Sequence, residues 1–228
     1  MNDVLLYAAD VSCLNDPALY ARAYRLADPE RRKKADRFRF QRDRNLSLGA
    51  GLLLQYALHR AGFDEAPEIA CDGNGKPFLK APADLFFSLS HSGTMAVCAL
   101  SEKEVGCDIE RLGEGKLSVA RRFFHPDEVA ALEKSGDVRD FFRLWTCKES
   151  YLKCTGLGLL QPLDSFRVTL GDPPRLTQAD AQRQYRLRES AAIPGYQCAV
   201  CTQEPCGEVR LCPVELKAAL YELDTDIQ

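Results

Sequence analysis

A chain of 228 residues, 46% hydrophobic and 28% charged, can bury a substantial core and is too apolar to be disordered. Its net charge of −3 gives no general argument for nucleic acid or membranes, and nothing approaches the 18 or so consecutive apolar residues of a membrane span. The short apolar run Val4–Ala9 has no basic flank and is too short for a signal peptide, so a soluble cytoplasmic monomer is the expectation.

Val4–Ala9 instead reads as a strand. A helix is predicted from Pro17 to about Leu26. Asp28-Pro29-Glu30 opens another, with proline at its first position, running through Arg31 to Phe40. Positions 31–44 hold eight basic residues against two acidic ones. That concentration suits either a solvated basic face or an anion site. A third helix, Leu46 to Leu58, carries Gly49 and Gly51, which permit close packing. Glu68–Cys71 reads as a short strand, and Asp72-Gly-Asn-Gly-Lys76-Pro77 is turn chemistry that places Lys76 on a hairpin loop. Three strands separated by short turns, Leu85–Gly93, Thr94–Leu100 and Val105–Glu110, are predicted to form a meander.

The second half repeats the plan. Helices are expected over 117–124, 126–135 and 138–154, the last stopped by Gly156 and Gly158. Strands follow near 164–169, 183–189 and 196–202, with a final helix or strand near 213–221. Tyr196–Cys201 echoes Gly93–Cys98 through a shared Ala-Val-Cys. With the common order of helices then strands, this predicts an α+β protein of two pseudo-symmetric halves, 1–102 and 103–228, with the active site in the cleft between them. Ten cysteines lie mostly in apolar runs, as free thiols do. Cys198, Cys201, Cys206 and Cys212 lack the second tight pair of a structural zinc site.

On the helix 138–154, Phe141, Phe142, Trp145 and Leu152 share an apolar sector, with Asp140, Arg143, Cys147 and Ser150 predicted on a solvated face. Glu149 falls roughly 40° from Trp145 at 100° per residue, inside the apolar sector, where a carboxylate is costly unless paired or metal-bound. Lys153 lies one turn on. Asp108 and Glu110, two apart in a strand, point to one face and repel unless a cation lies between them. With Glu149 they make an all-oxygen set suited to Mg²⁺, the alternative being an ion pair with the basic helix. His91, beside Ser90, Ser92 and Gly93 at a strand end, is placed to meet phosphate oxygens. Hard metal, basic helix, Lys76, His91 and Lys153 together suggest a phosphate-rich ligand.

Gly106-Cys-Asp108-Ile-Glu110 and Trp145-Thr-Cys-Lys148-Glu149-Ser-Tyr-Leu-Lys153, about 35 residues apart, resemble the paired signatures of the 4′-phosphopantetheinyl transferase superfamily, larger surfactin-synthetase-activating type. Gly75-Lys76-Pro77, Ser88–Gly93, Arg121–Phe124 and Gly156–Leu159 add to the match. The resemblance implies transfer of 4′-phosphopantetheine from coenzyme A to a serine of an apo acyl or peptidyl carrier protein, with Mg²⁺ as cofactor and adenosine 3′,5′-bisphosphate as product. It implies Asp108, Glu110 and Glu149 as metal ligands, Glu149 as the base toward the serine, directly or through a metal-bound water, and Lys153 at the leaving phosphate. Arg31, Lys34, Ser47, Lys76, Ser90, His91 and Lys148 are implied as coenzyme A contacts. Leu46 stands where a basic residue often precedes the position of Ser47, with Arg44 the nearest substitute. The loop Arg111–Lys116 is a candidate for carrier docking. The rival functions are a coenzyme A-binding module without catalysis and a Mg²⁺-dependent nucleotide phosphohydrolase.

Overall fold

The computed structural model describes residues 3–225 apart from 64, 66, 82, 83, 179–182, 191 and 192, and apart from the side chain of Leu159. The first half opens with β1 (Val4–Asp10) and continues through α1 (Pro17–Leu26), α2 (Pro29–Asp36) and α3 (Gln41–Arg60). A small hairpin, β2 (Ile69–Cys71) and β3 (Pro77–Leu79), precedes β4 (Phe86–Ser92) and β5 (Met95–Ser101). Asp16 accepts from the backbone N–H groups of Ala18 and Leu19, and Asp28 from that of Arg31, so each of the first two helices starts on a carboxylate cap followed by proline. The basic helix stops at Asp36, short of the expected Phe40. Arg44 Nε donates to the Phe38 carbonyl at 2.8 Å, tying down the bend from which α3 starts five residues earlier than predicted.

The second half contains β6 (Val105–Arg111), α4 (Leu117–Phe123), α5 (Pro126–Ser135), α6 (Val138–Thr155), β7 (Arg167–Thr169), β8 (Arg175–Thr177), β9 (Tyr185–Ser190) and β10 (Tyr196–Gln203). Strands β6, β10 and β9 form an antiparallel sheet in that order. In the first half β1, β5 and β4 are arranged in the same order and sense. The two Ala-Val-Cys segments occupy the central strand of each sheet, so the sequence repeat reflects a repeated topology. One long helix covers each sheet, α3 the first and α6 the second. Among the described residues no helix is long and apolar enough to cross a membrane.

The chain then returns. β11 (Val209–Pro213) pairs in parallel with β1, Leu6 opposite Leu211, and α7 (Leu216–Thr225) buries Leu216 and Leu220 in the core beneath α1 and α3. The expected boundary at 102/103 therefore does not hold at the C-terminus. Residues 209–225 complete the first half, because β1 would otherwise present an unpaired edge.

Period-2 alternation places the sheets. Val4, Leu6, Ala8, Val97 and Ala99 from one meet Val105, Cys107, Ile109, Cys198 and Val200 from the other in a shared core. Full burial of a Val or Ile side chain is worth roughly 1.5–3 kcal/mol, so this layer is a principal bond between the halves. Cys198 faces it while Cys201 faces the core under α6, as an odd spacing in a strand requires. These two thiols cannot converge on one metal, and all ten cysteines are free.

The predicted meander breaks after its second strand. β4 and β5 pair, but β6 belongs to the other sheet and runs beside β4. Serine hydroxyls join them: Ser88 Oγ accepts from Cys107 N (3.0 Å), Ser90 Oγ from Ile109 N (3.4 Å) and Ser92 Oγ from Arg111 N (3.1 Å). The constant offset of 19 residues means that the strands run in the same sense. Alternate serines supply acceptors that a neighbouring backbone would otherwise supply.

Candidate active site

On β6, Val105, Cys107 and Ile109 are fully buried in the shared core, so Gly106, Asp108 and Glu110 face the other way. Helix α6 lies across that face. At Gly106 the approach is so close that a β-carbon would sit 2.0 Å from the Ser150 carbonyl oxygen and 2.3 Å from Cys154 N. Glycine lets the helix backbone rest on the strand, which brings Glu149 and Lys153 to the carboxylates of β6.

This contact corrects the reading of α6. Cys147 and Ser150, predicted on a solvated face, are 0% exposed. Ser150 Oγ donates to the Cys147 carbonyl (2.9 Å) and Thr146 Oγ1 to that of Phe142 (2.9 Å). Small residues whose hydroxyls bond back to their own helix can be buried at little cost, so the helix is covered on two faces. Arg143 crosses to Glu189 with a fork of two bonds, 2.8 and 2.7 Å. Trp145, half-buried, stacks on Phe124 and Phe141 with centroids 6.2 and 6.0 Å away.

A pocket of about 590 Å³ opens between the halves. Asp108, Glu110, Glu149 and Lys153 line it from the second half, and Arg31, Lys34, Lys76, Ser90 and His91 from the first. Lys153 Nζ donates to Asp108 Oδ1 (2.7 Å) and to Ser90 Oγ (2.9 Å), and Ser90 Oγ donates to the same carboxylate oxygen (2.8 Å). Lys153 thus pairs with Asp108 rather than with Glu149, its neighbour one turn back. Burial opposes the lysine's charge most strongly, but Asp108, Cys107 and Glu149 together outweigh it and the net shift of its pKa is upward. Burial pushes the Glu149 carboxyl up, and Asp108 and Glu110 push it further against Lys153. Glu110 is likewise raised by burial, opposed by its bond from Ser92 and supported by nearby Asp108.

Asp108 Oδ2 is a buried acceptor with no hydrogen-bond partner among the described residues. An orphaned carboxylate oxygen is expensive, and together with two carboxyls whose charge is disfavoured by burial it suits a hard divalent cation. The donor set therefore fits Mg²⁺. The carboxylates are not gathered into a closed cage: no group of three or more acidic, His or Cys side chains stands close enough together among the described residues.

The cationic wall has its own supports. Arg31 passes over Gly51 of α3, where a β-carbon would lie 2.7 Å from its Nε. Burial lowers its pKa, and burial followed by Arg31 lowers that of Lys34. On the β2–β3 loop, Asp72 Oδ1 accepts from the backbone N–H groups of Asn74 and Lys76, both at 2.9 Å. This aims Lys76 at the Cys154 carbonyl in the last turn of α6 (2.7 Å) and at Glu104, a favourable end for a cation. Gly156, with φ of 72°, leaves room for the Lys76 stem. His91 stands at the exposed rim. The crowding walls and then Lys153 hold its imidazole pKa down, favouring the neutral form.

Three residues implied as ligand contacts lie elsewhere. Lys148 is 0% exposed, and its Nζ donates to the carbonyls of Leu163 (2.7 Å) and Phe166 (2.9 Å) and to Glu128 Oε1 (2.9 Å). It is a buried structural cation, one position from Glu149 but facing the opposite way. Ser47 is 1% exposed within α3 and does not line the pocket. Arg44 is occupied by Phe38 as described above. Spacing cannot separate these from Arg31 and Lys34, because which face of a helix meets the cleft is a tertiary fact. The supporting roles of Gly51, Gly106 and Ser92 were equally out of reach, although the period-2 serines were a visible signal.

Carboxylates beside a row of cations in one pocket are what a pyrophosphate-bearing ligand with a divalent cation would meet. Residues 104–201 match the family described as 4′-phosphopantetheinyl transferase superfamily, and residues 16–103 the one described as 4′-phosphopantetheinyl transferase, N-terminal. The chain is 37% identical over 183 residues to a 4′-phosphopantetheinyl transferase of Bacillus subtilis, covering 77% of this chain and 82% of that protein. It is 34% identical over 183 residues to 4′-phosphopantetheinyl transferase psf-1 of Bacillus pumilus, covering 77% and 78%. Against 4′-phosphopantetheinyl transferase Sfp of Bacillus subtilis (strain 168) the identity is 32% over 184 residues, covering 78% and 82%. The chain belongs to the 4′-phosphopantetheinyl transferase superfamily, in its Sfp-type form with an N-terminal domain.

Proposed function

We propose that this pocket transfers 4′-phosphopantetheine from coenzyme A to the serine hydroxyl of an apo carrier protein. The observation that carries the reading is that Glu149, Asp108, Glu110 and Lys153 share one pocket with Arg31, Lys34 and Lys76. The serine oxygen attacks the phosphorus bearing pantetheine. A phosphorus–oxygen bond forms to the serine, the bond to the bridging oxygen breaks, and adenosine 3′,5′-bisphosphate leaves. Glu149, which lines the pocket beside Asp108 and Glu110, takes the serine proton. Lys153, bonded to Asp108 and Ser90, can donate to the departing phosphate. Arg31, Lys34, Lys76 and neutral His91 bind and orient the phosphates.

Asp108, Glu110 and Glu149 would hold Mg²⁺, which when bound supplies charge neutralisation at the pyrophosphate. Phosphoryl transfer needs positioning and electrostatic stabilisation more than covalent help from the protein, and that is what the pocket offers. The exposed loop 111–116 is the proposed docking site for the carrier, since it leads directly from the carboxylate strand.

The test incubates the protein with an apo acyl carrier protein, coenzyme A and Mg²⁺ and weighs the carrier intact. Gain of one phosphopantetheine is expected, and loss of that gain in Glu149→Gln with an unchanged circular dichroism spectrum. Cleaved coenzyme A with an unmodified carrier would instead establish a phosphohydrolase. Tight coenzyme A binding without turnover would establish a binding module.

A further inference from the structure

Each hydroxyl of the β4–β6 seam has one proton to give and lone pairs to accept with. Ser88, Ser90 and Ser92 each accept from a β6 backbone N–H group at an offset of 19, and Ser90 accepts from Lys153 as well. The protons of Ser90 and Ser92 go to β6 side chains. Ser90 Oγ donates to Asp108, where Lys153 also binds, so that carboxylate has two anchors. Ser92 Oγ donates to Glu110 Oε2 at 2.8 Å, and no cation among the described residues forms an ion pair with Glu110, Lys153 being bonded to Asp108 and acting on Glu110 only from farther off. The indole of Trp145 lies near enough to favour its charged form. A Glu side chain has three rotatable bonds, and one on a strand end facing a half-open pocket stays in one rotamer only if something holds it.

We propose that Ser92 is a positioning residue that fixes Glu110 for the divalent cation, its hydroxyl being locked in turn by the Arg111 N–H. The proposal rests on the metal reading above. In it Ser92 touches neither the cation nor the substrate. It orients one carboxylate oxygen so that the other is free toward the pocket. Groups that orient a metal ligand in this way typically contribute 10- to 100-fold in metal affinity. The geometry also separates the three serines: Ser88 supports only the backbone of β6, Ser90 serves Asp108 and Lys153, and Ser92 serves Glu110.

The experiment titrates Mn²⁺ into the full-length protein with saturating coenzyme A and counts free ion by electron paramagnetic resonance. Wild type and Glu110→Gln are compared first, because tight binding lost in Glu110→Gln establishes the metal reading independently of Ser92. Wild type without Mn²⁺ binding would overturn that reading and this proposal together. Given wild-type binding, Ser92→Ala is expected to weaken Mn²⁺ about tenfold or more, Ser92→Cys to fall between, and Ser92→Thr to stay within about threefold of wild type. Ser88→Ala, which removes a rung without touching a carboxylate, is expected to lower the melting temperature while leaving Mn²⁺ affinity within about twofold. Wild-type Mn²⁺ affinity in Ser92→Ala, or in Ser92→Cys should the alanine variant not fold, would overturn the role of Ser92 alone. Equal weakening by Ser88→Ala and Ser92→Ala would also overturn it, because the effect would then belong to the seam as a whole.

Discussion

Gly106 and Ser150 are in backbone contact: a β-carbon on the glycine would stand 2.0 Å from the serine carbonyl oxygen. That contact sets the distance between the strand carrying Asp108 and Glu110 and the helix carrying Glu149 and Lys153. Both obstructing groups are backbone, so no side-chain rotation relieves them. Gly106→Ala is therefore expected to cost more than about 4 kcal/mol, in the range reserved for severe core defects. Gly113→Ala, where nothing lies within 4 Å, should fall within about 0.5 kcal/mol of wild type. Urea unfolding of the two variants decides this, and similar midpoints would contradict the proposed closeness.

Lys148 and Glu128 form an ion pair with side chains 0% and 1% exposed. Removing one partner from a buried pair leaves the other charge uncompensated, at about 3–5 kcal/mol. Lys148→Met should thus destabilise by that amount, and adding Glu128→Gln should recover a large part of it. Because Lys148 lies outside the pocket, coenzyme A affinity measured by calorimetry on the folded single variant should match wild type. A large loss of affinity in a folded Lys148→Met protein would restore the lysine to the ligand contacts.

Gly51 gives Arg31 the space to cross α3. Alanine within a helix is favoured over glycine by roughly 0.5–1 kcal/mol, so Gly51→Ala should not lose stability. The new methyl displaces the flexible Arg31 side chain, and loss of a charge-assisted hydrogen bond of about 1.5 kcal/mol or more raises the KM for coenzyme A about tenfold with a small change in kcat. Arg31→Ala should weaken binding similarly, and the double variant should add little. Additive losses would show that Gly51 acts by another route.

Burial raises the carboxyl pKa of both Glu149 and Glu110. Such a group keeps its proton in the folded state at pH values where the unfolded chain has lost it, so the folded state binds more protons and stability falls as pH rises. The window opens at the ordinary glutamate value of about 4.3 and closes above the raised folded value. In EDTA, the melting temperature should decline through this window, and Glu149→Gln, which cannot ionise there, should decline less steeply. Parallel curves for the two proteins would argue against the raised pKa of Glu149.

Much of the candidate site was legible as spacing. Asp108 and Glu110 two apart in a strand, Glu149 in an apolar sector, and Lys76 on a glycine-rich turn all line the pocket, because local periodicity determines which side of an element a residue faces. The repeated Ala-Val-Cys likewise announced the repeated strand order. Periodicity does not say which neighbour a face meets. It therefore assigned Cys147 and Ser150 to solvent, when backbone contact at Gly106 buries them, and the family resemblance, blind to the same facing, left Lys148 with the ligand contacts.

The sequence by itself determined most of the elements, though not β8 or the position of β11, together with their two-fold plan and the residue types able to bind phosphate and a hard cation. Only the tertiary structure decided that β6 leaves the meander to lie beside β4, that β11 and α7 close the first half, and that Lys153 sits on Asp108. The physical reason is that these relations join residues 19 to 205 positions apart, through contacts no local pattern encodes. A hydroxyl, a glycine and a lysine look alike in the sequence whether they bind a ligand, admit a helix or fill a core.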